Sequence, residues 1–270
     1  MHNVLRGAML VMAFGAVTAL AQSAPPAALP DVVKDLAPTG KLRAAINVGN
    51  VVLVQKDAAG GEPRGITVDL ARELARRLGV AADLIVYETA GKVTDAVKTG
   101  AWDIGFIAIE PARAAVIGFT APYVIIEGTY MVVQDSPLKD IPDVDRDGVR
   151  IAVARGSAYD LFLTRTLQHA TLVHYPSPPR ALQGFITDKL DAAAGVKQQL
   201  VQFAKTNSNV RVMNGRFQEI KEAMGTPLGR DLGLRYLRSF VEEMKASGFV
   251  KKALELANQS DAVIAPPAEN

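Results

Sequence analysis

Short apolar runs alternate with helix-length amphipathic segments along this chain, and the alternation runs twice. Residues 42–48 form an apolar run suited to a buried strand. After a turn at Gly60-Gly61-Glu62-Pro63, residues 67–79 place Leu70, Ala71, Leu74, Ala75 and Leu78 at helical spacing. Arg72, Glu73, Arg76 and Arg77 face outward there, and Gly79 is the stop. A strand over 83–87, a helix over 92–99 ended by Gly100, and a strand over 104–109 apolar enough to be buried on both faces complete the first series. A crossing segment at 129–134 leads into the second. Strands are expected at 150–154, 171–175, 191–196 and 210–213, with helices over 157–168, 180–190 and 198–206 between them. The carboxyl end is helical, with Leu234, Leu237, Val241 and Met244 at three- and four-residue steps, a break at Gly248 and a last helix over 249–257.

Such alternation builds parallel-type sheets covered by helices, and two series build two lobes. The expected fold is α/β: two Rossmann-like lobes joined by two crossing strands, at 129–134 and 216–224, with a ligand cleft between them. Ligands in such sheets lie at the carboxyl ends of the strands, and two lobes on two crossings have the geometry of hinge closure. The corresponding division is a signal peptide over 1–21, a leader over 22–40, lobe 1 over 41–130 plus 223–262, lobe 2 over 131–222, and a mobile tail over 263–270.

The signal peptide rests on Arg6, an apolar run over 8–21 and small residues at Ala19-Leu20-Ala21, with cleavage near Ala21. At 14 residues the run is short of the roughly 20 that span a bilayer. An uncleaved anchor is the weaker alternative. The expected location is therefore outside the cytoplasm, in a bacterial periplasm or beyond the cell. Composition narrows the chemistry further. With 30 Lys plus Arg against 28 Asp plus Glu there is no strong field to hold nucleic acid or an anionic membrane. Cysteine is absent, so disulfides, thiolate metal sites and a cysteine nucleophile are excluded together. His2, His169 and His174 have no metal-ligand spacing, and no GxxxxGK[ST] phosphate loop occurs. No metal or cofactor is expected, and monomer is the plain expectation.

Three segments, GITVDLARELARRLGV, VTDAVKTGAWDIGFIAIEPARAAVIGFTAPY and KLDAAAGV, resemble the polar-amino-acid branch of bacterial periplasmic solute-binding proteins in order and spacing. The resemblance covers essentially the whole chain after the leader. It implies a type II periplasmic binding protein fold, a small amino acid or carboxylate ligand bound by hinge closure, and the membrane subunits of an ABC importer as partner. Residue by residue, Arg113 in EPAR matches the arginine that clamps the ligand carboxylate, a role suited to a planar guanidinium fork. Gly156 and Ser157 in VARGSAYD match the small-residue turn whose amides meet the same group, at the expected start of a helix. An ordinary N-cap also explains Ser157.

Two departures from the family pattern stand out. Val196 replaces the aspartate that holds the ligand's α-ammonium, and Asn50-Val51-Val52-Leu53 stands where the family has an aromatic shelf. Glu110, three residues before Arg113 where the family usually has threonine, is a candidate replacement anchor. It is equally a candidate for holding Arg113 in place, and the ligand itself is open to lacking an amine. Ala108, Ala158, Asn47, Asn50, Tyr159 and Tyr123 complete the candidate cleft. Asp69 and Asp103 read as helix-start and strand-start residues rather than acid–base catalysts. The expected function is a non-catalytic uptake receptor. The alternative is a secreted enzyme resembling cyclohexadienyl dehydratases, with Glu110 as general acid, and a sensor docking on a separate membrane kinase is a minor third option.

Overall fold

A computed structural model describes residues 29–56, 60–259 and 262–269. The signal peptide and residues 22–28 of the expected leader lie outside the described residues. Order begins earlier than Lys41. Helix α1 (Pro30–Leu36) buries Val32 and Leu36, and Leu36 packs on Gly233, where an added Cβ would stand 2.7 Å from its Cδ2. Seven residues are too few to show helical periodicity, so composition alone suggested a leader here.

The first series follows as β1 (Lys41–Asn47), α2 (Ile66–Leu78), β2 (Ala81–Tyr87), α3 (Ala90–Ala96) and β3 (Ile104–Ala108), then a short α4 (Pro111–Ala114). Helix α2 ends where expected because Gly79 adopts the left-handed conformation at φ 69°. Strand β4 (Ile117–Val133) is 17 residues long, far beyond the expected crossing at 129–134. Pro122 and the glycines at 118 and 128 punctuate its sequence, and the register shifts on either side of Pro122, so the run reads locally as turns. The second series is β5 (Arg150–Ala154), α5 (Ala158–Thr166), β6 (Thr171–Tyr175), α6 (Pro178–Thr187), β7 (Ala192–Val196), α7 (Lys197–Thr206) and β8 (Val210–Val212). Strand β9 (Gln218–Pro227), α8 (Asp231–Ala246), α9 (Phe249–Leu256) and β10 (Val263–Ile264) close the chain.

The tail expected to be mobile is tied down among its described residues. β10 pairs with β4, the Ala265 amide donates to Tyr123 O, and Lys245 Nζ donates to Pro266 O at 2.7 Å. These bonds are tertiary, and a Pro- and Ala-rich segment gives no local sign of them.

Two parallel triplets form from the expected series, β2-β1-β3 on one side and β7-β5-β6 on the other, while β8, expected as a fourth strand of the second series, pairs antiparallel with β4. The triplets do not form two separate sheets. Antiparallel β9 and β4 stitch them into one hydrogen-bonded path, β2-β1-β3-β9-β4-β7-β5-β6. β4 pairs with β9 as far as Gly128, and from Gly128 to Met131 it pairs with β7, so the chain passes between lobes there. Asn47, Ala108, Ala154 and Val196, the last residues of β1, β3, β5 and β7, consequently point from both lobes toward one gap.

Candidate functional site

The strand ends converge on a cavity of about 40 Å³ between the lobes, lined by all four of those residues. At roughly 10–15 Å³ for each water-sized sphere, it holds about three waters. The lobes touch around it. Arg113, on α4 of lobe 1, sends Nη1 to Ala108 O at 2.8 Å and Nη2 across the gap to Gly156 O at 2.9 Å. Pro111 at the helix start and the hydrogen bond from Arg113 N to Glu110 O shape the short turn that aims this side chain inward. Arg113 is 1% exposed, and its Nε has no hydrogen-bond partner. Burial pulls its pKa down, while Glu222 and Glu110 oppose that shift. A buried guanidinium with a free N–H beside a cavity is a ready donor for an anion.

Gly156 lies at φ 72°, and a Cβ there would stand 2.9 Å from Gly91 Cα of the opposite lobe. Gly156→Ala is expected to hold the lobes apart and weaken ligand affinity tenfold or more, beyond the loss of about 1–2 kcal/mol in folding stability that a side chain at this left-handed position costs in the unliganded protein. Paired calorimetric titration and melting curves check this, and equal affinity would show that closure does not need this contact.

The amides expected to be free at the turn are not free. Gly156 N donates to Asp160 Oδ2 at 2.7 Å and Ser157 N donates to Ala154 O, while Ser157 Oγ caps α5 by accepting from Asp160 N. Asp160, one turn into the helix, folds back and takes the place of an external anion, a contact that spacing alone does not announce. The unengaged amides lie one step further on, at Ala158 and Tyr159. Both residues line the cavity, and neither amide has an acceptor among the described residues. Burial pushes the Tyr159 hydroxyl above its ordinary range, so it is a neutral donor at physiological pH.

Glu110 does not line the cavity. Its carboxylate takes Arg165 Nη1 of α5 at 2.6 Å and Gln218 Nε2 of β9 at 2.8 Å, making a second bridge between lobes. The replacement anchor and general acid readings of Glu110 therefore lose their geometry. Tyr123 is a core residue, edge-on to Phe106 at 6.3 Å between ring centroids. Asp103 is structural: its carboxylate is fully buried and receives Arg43 and Arg230. Asn47, Asn50 and Val196 do line the cavity.

Sequence reasoning missed Glu222. It lines the cavity on β9, 5% exposed, and its Oε1 accepts from Asn50 Nδ2 at 3.0 Å. Burial pushes its pKa up to about 7, against the pull of Arg113 and the Asn50 hydrogen bond. The folded state thus binds this proton more tightly than the unfolded chain, and ionisation of Glu222 costs folding stability as pH rises from the ordinary carboxylate range through about 7. A signal was present in the alternation Ile220-Lys221-Glu222-Ala223-Met224, which sets a carboxylate on the same inward face as Ile220 and Met224.

The model of the bacterial extracellular solute-binding proteins, family 3, matches residues 43–263. The chain belongs to this family. Among solved structures, a mutant of ArgBP from T. maritima is 22% identical with a TM-score of 0.72, covering 84% of this chain and 99% of its own. The amino acid ABC transporter substrate-binding protein AbpA from Streptococcus pneumoniae, bound to L-arginine, is 19% identical with a TM-score of 0.71, covering 86% and 99%. The ancestral amino acid-binding protein AncCDT-1, a precursor of cyclohexadienyl dehydratase, is 23% identical with a TM-score of 0.70, covering 83% and 98%. At these identities the likeness is one of fold, and the family 3 match agrees with the two-lobed, joined-sheet architecture. No described helix is long and apolar enough to cross a membrane.

Proposed function

We propose that this family 3 protein is the periplasmic binding component of an ABC importer, taking an amino acid or related small carboxylate between its lobes and presenting the closed form to the membrane subunits. One observation carries the reading: the buried Arg113 guanidinium, with Nε unpartnered, lines the same small cavity as Ala158 and Tyr159, whose amides at the start of α5 are unengaged. Guanidinium and helix amides in a narrow gap suit a single carboxylate, and each charge-assisted bond contributes about 1.5–3 kcal/mol. Closure follows from the same contacts, because a ligand that touches both lobes binds the closed form more tightly. A differential of about 3 kcal/mol shifts the open-to-closed ratio more than a hundredfold.

The cavity is too small to admit an amino acid without the lobes parting, so entry and closure are coupled. Lobe 1 over 41–130 plus 223–262 and lobe 2 over 131–222 remain the working division, with α1 and β10 added to lobe 1. Thermal-shift screening against the standard amino acids and small organic acids tests the receptor reading. A concentration-dependent rise in melting temperature with at least one carboxylate, without turnover, is the expected result. Turnover of prephenate or arogenate, or no shift with any carboxylate, counts against it.

A further inference from the structure

Among the described residues Glu222 is the only carboxylate that lines the cavity, and the cations there are Arg113 and Arg155. One of its oxygens takes Asn50 Nδ2; the other has no hydrogen-bond partner among the described residues. A carboxylate buried on a joining strand between Ile220 and Met224 costs folding stability, and Arg113 and Asn50 offset that cost only in part, leaving room for a bound cation to offset the rest. Other candidates for a cation anchor are spent or absent: Glu110 holds Arg165 and Gln218, Asp160 holds the Gly156 amide and His174, and Val196 is apolar.

We infer that Glu222 is the cation-binding residue of the cleft, taking the ammonium group of a ligand whose carboxylate Arg113 holds, so that the substrate class is a small zwitterion rather than a plain carboxylate. The inference rests on the receptor reading and narrows it. The groups that face Glu222 are Arg113 from α4, which favours its charged form, Asn50 from the loop after β1, which donates to it, and Tyr123 from β4, whose hydroxyl burial holds neutral. Arg155, the residue after β5, is exposed at the cavity wall.

An ammonium selects ionised Glu222 and a plain carboxylate selects the protonated form. The two ligand classes therefore have opposite pH dependence. With a pKa of about 7, the ionised fraction rises about tenfold between pH 6 and pH 8, and affinity for a zwitterion rises by about the same factor.

The test is calorimetric titration of wild type and Glu222→Gln at pH 6 and pH 8. The probes are the twenty standard amino acids, each paired with the carboxylic acid that lacks its amine. Support is an amino acid that binds wild type about tenfold more tightly at pH 8, loses thirtyfold or more in Glu222→Gln along with the pH dependence, and has a des-amino partner that the variant binds no worse than wild type. Glu222→Gln binding the amino acid as well as wild type, or wild type preferring des-amino acids, overturns the inference and leaves the receptor reading intact. Binding of neither set overturns the receptor reading, and the inference falls with it. As a check on folding, unliganded Glu222→Gln melts above wild type at pH 8; melting below it would overturn the premise that Arg113 and Asn50 compensate this carboxylate only in part.

Discussion

Arg113→Ala is expected to weaken binding of the carboxylate identified by thermal-shift screening by a factor of roughly 10²–10⁴, the largest loss from any single change in the cleft. Two or more charge-assisted hydrogen bonds, at about 1.5–3 kcal/mol each, set that scale. The loss has a second source. Arg113 itself joins Ala108 O to Gly156 O, so its removal deletes a contact between the lobes in the closed form. It also strips Glu222 of the charge that restrains its pKa, so residual binding of a zwitterion moves to higher pH. Arg113→Lys is expected to recover little, because a single ammonium cannot reach both carbonyls and still present a fork to a carboxylate. Calorimetric titration over pH 6–9 measures both effects, and near wild-type affinity in Arg113→Ala would remove the clamp from the mechanism.

Asp103→Asn is expected to lower unfolding stability by about 3 kcal/mol, a fall of ~10 °C in Tm for a chain of this size. The carboxylate is fully buried and accepts from Arg43 N, Arg43 Nε and Nη2, and Arg230 Nη1, while Thr226 Oγ1 bonds its backbone carbonyl. This cluster ties β1, the start of β3, β9 and the loop before α8 to one another. Neutralising it leaves two arginines facing each other, each about one-fifth exposed, and that partial solvation keeps the cost at the lower end of the range for buried pairs. Ligand affinity of the folded fraction is expected to stay unchanged, because Asp103 lies at the amino end of β3 and the cavity at its carboxyl end. Urea unfolding followed by titration checks both halves, and a large loss of affinity with stability unchanged would move Asp103 into the binding machinery.

The sequence by itself determined most elements of the two series and their order. The five apolar residues of α2 recur at helical spacing and are all buried, and β3 and β7, apolar along their whole length, are buried at every position. Those periodicities are local, so they can be read without knowing what packs against them. The convergence of strand ends on one gap followed from the βα alternation, and Arg113 was legible because a short motif carries it.

What depended on contacts between distant segments was decided only in the tertiary structure. The carboxylate at 110 bonds partners 55 and 108 residues away, and Glu222 bonds Asn50 across 172 residues. A charged residue's role is set by which opposite charge or donor it meets and by how dry that meeting place is, and neither quantity is local. The same holds for α1 and β10, which gain their order by packing on α8 and pairing with β4. Chain order supplies the lobes and the arginine; only folding decides which carboxylate is left to face it.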